Sequence, residues 1–164
     1  MASAGPAQPS VTYLLAGSFL FLVLGIAVTI GVPALDRPTP TETARPYTEL
    51  ELRGRQVYLR EGCGYCHTQQ VRAPEANRGT VLVPGDIGPE SLPGDYAYQQ
   101  PVFWGTNRQG PDLSHVATRR PSREWHIAHL KAPRAVVFGS VMPSYAHLPE
   151  DELEALAAYL LTLR

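Results

Sequence analysis

The sequence is poor in sulfur and has no surplus of charge. Two cysteines in 164 residues exclude a disulfide-rich scaffold and any four-cysteine zinc site. Fourteen Lys and Arg balance fifteen Asp and Glu, for a net charge of −1. The basic excess of a nucleic-acid binder is missing, so no nucleic-acid partner is expected. There are no internal repeats. Residues 11–32 lack any charged side chain, and residues 1–10 have no Lys or Arg. What is abundant is proline and glycine, 16 and 14 residues. A chain so punctuated spends much of its length in loops and is not a simple helix bundle throughout. Hydrophobic residues make up 44%, enough for a packed domain and too many for a disordered one.

The uncharged run at 11–32 predicts a helix about 33 Å long, enough for a hydrocarbon core of about 30 Å. Pro33 is expected to stop it. A cleaved signal peptide is the rival reading, with Val32-Pro33-Ala34 as a loose cleavage site. The length of the run and its lack of a positive leader favour a retained anchor in membrane lipid. Arg37 and Arg45 follow the span, so positive charge alone would put the C-terminal side in the cytoplasm.

The expected organisation is an anchor at 1–34, a stiff Pro-rich linker at 35–46 and a domain at 47–164. In that domain, Thr48 caps a helix over 48–60 with Glu49 and Glu51 in its first turn. Leu50, Val57 and Tyr58 form its apolar stripe, Gly54 offers a close approach, and Gly62 ends it. Residues 73–101 read as a long loop with a short hairpin near 80–83. Ser122 caps a second helix over 123–131, with Pro133 past its end. Pro149 and three acids open a final helix with Leu153, Leu156, Tyr159, Leu160 and Leu163 along it. The fold class is therefore mainly α with long loops.

Cys63-Gly64-Tyr65-Cys66-His67 is a C-x-x-C-H, the spacing of covalent haem c attachment. Both thiols reach the vinyl groups on one porphyrin edge, and the next residue offers an imidazole to the iron. A thioredoxin-like pair would sit beside a βαβ pattern, which is missing. A zinc site would need more ligands. A disulfide would leave His67 without a role. His67 is thus one expected metal ligand. Met142, the one methionine besides the initiator, precedes Pro143 in a loop and is the expected second ligand, by the Met/His pattern. His115, His126, His129 and His147 compete; His126 and His129 are read as surface residues on a short helix. Gly110-Pro111-Asp112-Leu113 is a turn suited to hold the imidazole's other nitrogen through the Pro111 carbonyl, with Leu113 packed on the haem face. Arg72, Arg108, Arg119, Arg120 and Arg134, with the Trp104 indole, are the possible propionate donors.

These residues in this order resemble class I cytochromes c. Pro46-Tyr47-Thr48-Glu49-Leu50-Glu51, Gly54-Arg55 and Tyr58-Leu59-Arg60-Glu61-Gly62-Cys63 are more closely similar to one family, the membrane-anchored mono-haem subunit II of cbb3-type cytochrome c oxidases. So are His67-Thr68-Gln69 with Arg72, Trp104-Gly105, Gly110-Pro111-Asp112-Leu113, Trp125-His126, His129-Leu130, Pro133-Arg134 and Ser140-Val141-Met142-Pro143-Ser144-Tyr145. Residues 75–94 depart from the pattern. The resemblance implies a class I cytochrome c-like domain behind a single transmembrane helix, with one covalent haem c. It implies an electron-transfer subunit without a catalytic centre of its own. Electrons would come from a donor cytochrome and pass to haem b of a haem–copper catalytic subunit, with a further cytochrome c subunit as probable partner. Haem attachment implies an extracytoplasmic domain on a bacterial inner membrane, against the charge rule. The mono-haem subunit of a nitric oxide reductase, or a free-standing tethered cytochrome c, are the alternatives.

Overall fold

The computed structural model describes residues 10–76, 88–105 and 108–164. The hairpin expected near 80–83 lies outside the described residues. The chain divides into two compact units, Met1–Pro38 and Thr39–Arg164. The described residues are mainly helical and contain no strand.

The first unit is one apolar helical rod over Val11–Leu35. It consists of α1 (Val11–Ile26), a π-helical turn (Ala27–Gly31) and α2 (Val32–Leu35), and buries none of its residues. An apolar rod with its whole surface exposed is matched to lipid rather than to a protein core. Pro33 does not stop this helix, contrary to expectation; Leu35 does, before extended Asp36. The π turn supplies the reason. There the Val32 N–H reaches back to the Ala27 carbonyl, and Pro33 enters at the start of the next helical segment, where an N–H is not required.

The second unit is built on two helices. In α3 (Glu49–Arg60) the Thr48 hydroxyl accepts from the Glu51 N–H while the Glu51 carboxylate accepts from the Thr48 N–H, a complete capping box. Gly62, at φ +71°, ends it. The last helix, α7 (Glu150–Leu160), packs against α3. Gly54 is the contact: a Cβ there would lie 1.9 Å from the Ala155 carbonyl oxygen. Leu153, Leu156 and Tyr159 are fully buried, with Leu160 and Leu163 nearly so. Leu50, expected in the core, is 45% exposed. Gly54, Arg55, Val57 and Tyr58 form the buried face instead. Tyr58 sits between the Phe103 ring at 4.9 Å and the Tyr159 ring at 5.5 Å.

Shorter pieces complete the unit: α4 (Val116–Arg119), α5 (Arg123–Lys131) and α6 (Pro133–Val136). The Ser122 hydroxyl caps α5 by accepting from the Trp125 N–H at 3.1 Å. Pro133 opens α6 directly after α5. The Pro-rich stretch is shared between the units. From Thr39 on it belongs to the second, where the Thr41 hydroxyl donates to Asp95 Oδ1 at 2.6 Å.

Candidate functional site

The two thiols and the imidazole lie in the turn that follows α3. Gly62 reverses the chain, and Cys63–Tyr65 forms one 3₁₀ turn. The N–H groups of Cys66 and His67 both donate to the Cys63 carbonyl, at 3.2 and 3.0 Å. Cys63 belongs to the buried core, whereas Cys66 is half-exposed. Both are free thiols. Burial pushes the Cys63 thiol up to about 11, so the free chain keeps it protonated at neutral pH.

A second turn grips the first. The Gly110 N–H donates to the Cys66 carbonyl at 3.0 Å, and the Leu113 N–H donates to the Thr68 carbonyl at 2.9 Å. Between these rungs the Pro111 carbonyl lies 2.8 Å from His67 Nδ1. That contact puts the ring proton on Nδ1 and the lone pair on Nε2. Burial lowers the His67 pKa, and the Pro111 carbonyl partly offsets this. The neutral imidazole is the form that ligates a metal. Gly110 is required here: a Cβ would lie 2.2 Å from His67 Cε1. Asp112 is buried and stiffens the turn by accepting from the Ser114 N–H at 2.7 Å.

Cys63 and Leu113 belong to one apolar cluster, against which Met142 and Tyr145 pack partly buried. The other residues singled out in the sequence lie differently. Arg72 is engaged by Glu75, which also takes Arg108. These two guanidinium groups hold the Glu75 carboxyl down at about 2. Trp104 is 54% exposed and meets the Tyr96 ring edge-on at 5.2 Å. Arg134 donates to the Ser140 carbonyl, and Arg119 to that of Asp112.

Each competing histidine has surroundings of its own. His115 packs against Gly88. His147 lies 3.3 Å from a Glu61 carboxylate oxygen. His126, expected at the surface, is buried, because its Nε2 finds the Arg120 carbonyl at 2.9 Å. His129 stacks on Trp125 with ring centres 4.8 Å apart. Two residues close to the turn escaped the sequence reading as functional. Gln69 is buried, its side-chain oxygen accepting from the Tyr159 hydroxyl at 2.9 Å. Arg55 is buried under Phe103. No periodicity marks a glutamine or an arginine as interior.

Among the described residues no group of three or more His, Cys, Asp or Glu is arranged to hold a metal ion. The turn offers a single nitrogen donor, His67 Nε2, with two thiols in the preceding four residues. They suit a group that brings its own in-plane ligands.

One span-length apolar helix, followed by a helical unit with a ligand-ready imidazole beside two thiols, defines a class of membrane-associated carrier of a single prosthetic group. The chain matches the family model described as cytochrome C oxidase, mono-heme subunit/FixO over residues 8–162 and belongs to that family. No curated protein matches it. It is thus a mono-haem subunit of a cytochrome c oxidase, with oxidase subunits as its partners and, near its N-terminus, one apolar helix long enough to fit a membrane anchor.

Proposed function

We propose that this chain is the electron-transfer subunit of a cbb3-type oxidase. Residues 1–34 anchor it, 35–46 link, and 47–164 form a class I cytochrome c-like domain on the extracytoplasmic face of a bacterial inner membrane. The domain takes electrons from a donor cytochrome and delivers them to haem b of the haem–copper catalytic subunit, beside a further cytochrome c subunit. The observation that carries this reading is the His67–Pro111 contact inside a C-x-x-C-H turn.

Cys63 and Cys66 hold the haem. Their thiols would hold the haem through thioether bonds to its vinyl groups. His67 Nε2 would ligate the iron, its ring oriented by the Pro111 carbonyl and by Gly110. The Met142 thioether would be the second protein ligand to the iron, and Leu113, in the cluster against which Met142 packs, would line the haem site. The bound haem supplies a one-electron couple. A haem held by two protein ligands would carry electrons and leave oxygen chemistry to the catalytic partner. Arg72 and Trp104 are both largely exposed and would serve as propionate donors.

The test is a reduced-minus-oxidised spectrum of membranes and of the purified chain, with a denaturing gel stained for covalent haem. A stained band, a methionine–iron charge-transfer band and co-purified haem b are expected. A chain without covalent haem, from a host able to attach it, overturns the reading. Met142→Ala is expected to lower the potential and to let carbon monoxide bind the reduced iron. An unchanged spectrum and potential would remove Met142 from the ligand set.

A further inference from the structure

Arg55 is treated by the fold unlike its neighbours on α3. Arg53 and Arg60 reach acids of α7 at the surface, Asp151 and Glu152. Arg55 is 7% exposed, and none of the ion pairs among the described residues includes it. The acid one turn before it, Glu51, is occupied by both arms of Arg45, at 2.6 and 2.8 Å. Arg55 donates to backbone carbonyls instead, to Gln100 at 3.0 Å and to Pro101. Its guanidinium carbon stands 4.6 Å from the centre of the Phe103 ring, and its Nε has no partner.

Carbonyls and an aromatic face are dipoles and a quadrupole. They solvate a cation without cancelling its charge. An arginine does not escape burial by losing its proton, so the charge is permanent. Taking such a charge out of water without a counter-ion is costly. A hydrophobic residue would fill the same space without that cost.

The charge lies one ring behind the ligand turn. Phe103, which it touches, packs on Tyr58, and a Cβ at Gly64 in the C-x-x-C-H would lie 3.5 Å from the Phe103 ring. The Phe103 carbonyl accepts from the Gln69 N–H at 2.9 Å, two residues past His67.

We infer that Arg55 is a fixed positive charge, placed behind the haem-attachment turn, that raises the reduction potential of the haem. This rests on the haem reading given under Proposed function. Reduction adds one electron at the iron and lowers its charge by one; no bond or proton changes hands. A nearby cation in a poorly polarisable interior stabilises that more electron-rich state, and burial shields the effect from salt.

The test is a spectroscopic redox titration of the haem-loaded full chain within its oxidase complex. Wild type is compared with Arg55→Lys, Arg55→Gln and Tyr47→Glu. The Tyr47 phenol faces the guanidinium, so a carboxylate there offsets the charge and leaves Arg55 on its carbonyls. Arg55→Lys is expected to keep the midpoint. Arg55→Gln and Tyr47→Glu are expected to shift it downward, with the methionine–iron band unchanged and the shift persisting at high salt. An unchanged midpoint in either neutralising variant overturns the inference, as does a shift abolished by salt. If only wild type and Arg55→Lys acquire haem, Arg55 is an anchor of the fold, and the inference also fails. A wild-type chain without covalent haem defeats the earlier reading; a haem-loaded wild type with indifferent variants defeats this one alone.

Discussion

The α3–α7 helix pair and the ligand turn adjoin each other, yet different forces hold them. The pair is held by area: Val57, Tyr58, Leu153, Leu156 and Tyr159 are all but completely buried, and Gly54 lets the two backbones meet. The turn is held by a few directed contacts: the two hydrogen bonds to the Cys63 carbonyl, the rungs from Gly110 and Leu113, and the Pro111 carbonyl on His67. Burial is non-directional and tolerates small errors of angle; hydrogen bonds fail steeply with angle and distance. Stability is therefore concentrated in one region and geometric accuracy in the other, and damage to each has its own signature.

Gly54→Ala should do the most harm. The new methyl meets the Ala155 carbonyl, and forcing α3 and α7 apart is expected to cost about 3 kcal/mol, read as a fall in the denaturation midpoint of the domain. Gly110→Ala attacks the other region. Its methyl meets the His67 ring, so haem incorporation should drop severalfold while far-ultraviolet circular dichroism keeps its helical signal. Equal losses of helix and haem in that variant would erase the distinction drawn here. Tyr159→Phe probes the link between the regions. It strands the buried Gln69 side-chain oxygen and should cost about 2 kcal/mol by chemical denaturation.

The smallest effect is at the start of α3. Thr48→Ala should cost about 1 kcal/mol. Glu51, held at about 2 by the Arg45 guanidinium and the Thr48 donors, gives this end a pH dependence. The folded pKa lies below the unfolded value of 4.5, so the stabilisation is complete above that value. It is lost as pH falls from there towards 2. Glu51→Gln should remove this part of the acid dependence, as measured by unfolding at a series of pH values. An acid profile identical to wild type would show that the pair contributes nothing.

What the sequence reveals follows the same division. Regular burial leaves a period, so α7 with Leu153, Leu156 and Leu160 was legible, as was α3 with its Thr48 cap. Leu50 misled because the buried face of α3 is narrow and includes Gly54 and Arg55, which no hydrophobic stripe predicts. Pro33 misled because a π turn admits a proline that an α-helix rejects. Four-residue helices such as α4 and α6 are too short to carry a period. In the site, the Gly-Pro turn was legible as the partner of the imidazole, and the Pro111 carbonyl does reach His67. The closeness of Gly110 to the imidazole was not, because a glycine announces only the missing side chain and not what fills the space.

The Gly54–Ala155 contact also bears on the order in which the molecule is made. It closes a loop of roughly a hundred residues, and the cost of closing such a loop falls before any contact repays it. Cys63 and Cys66 precede Ala155 by roughly ninety residues in the chain. Until the last helix arrives, α3 has no partner and the thiols after it belong to open chain. The final helix thus acts as a latch: the segment that bears Cys63 and Cys66 gains its packed support only when α7 docks on α3.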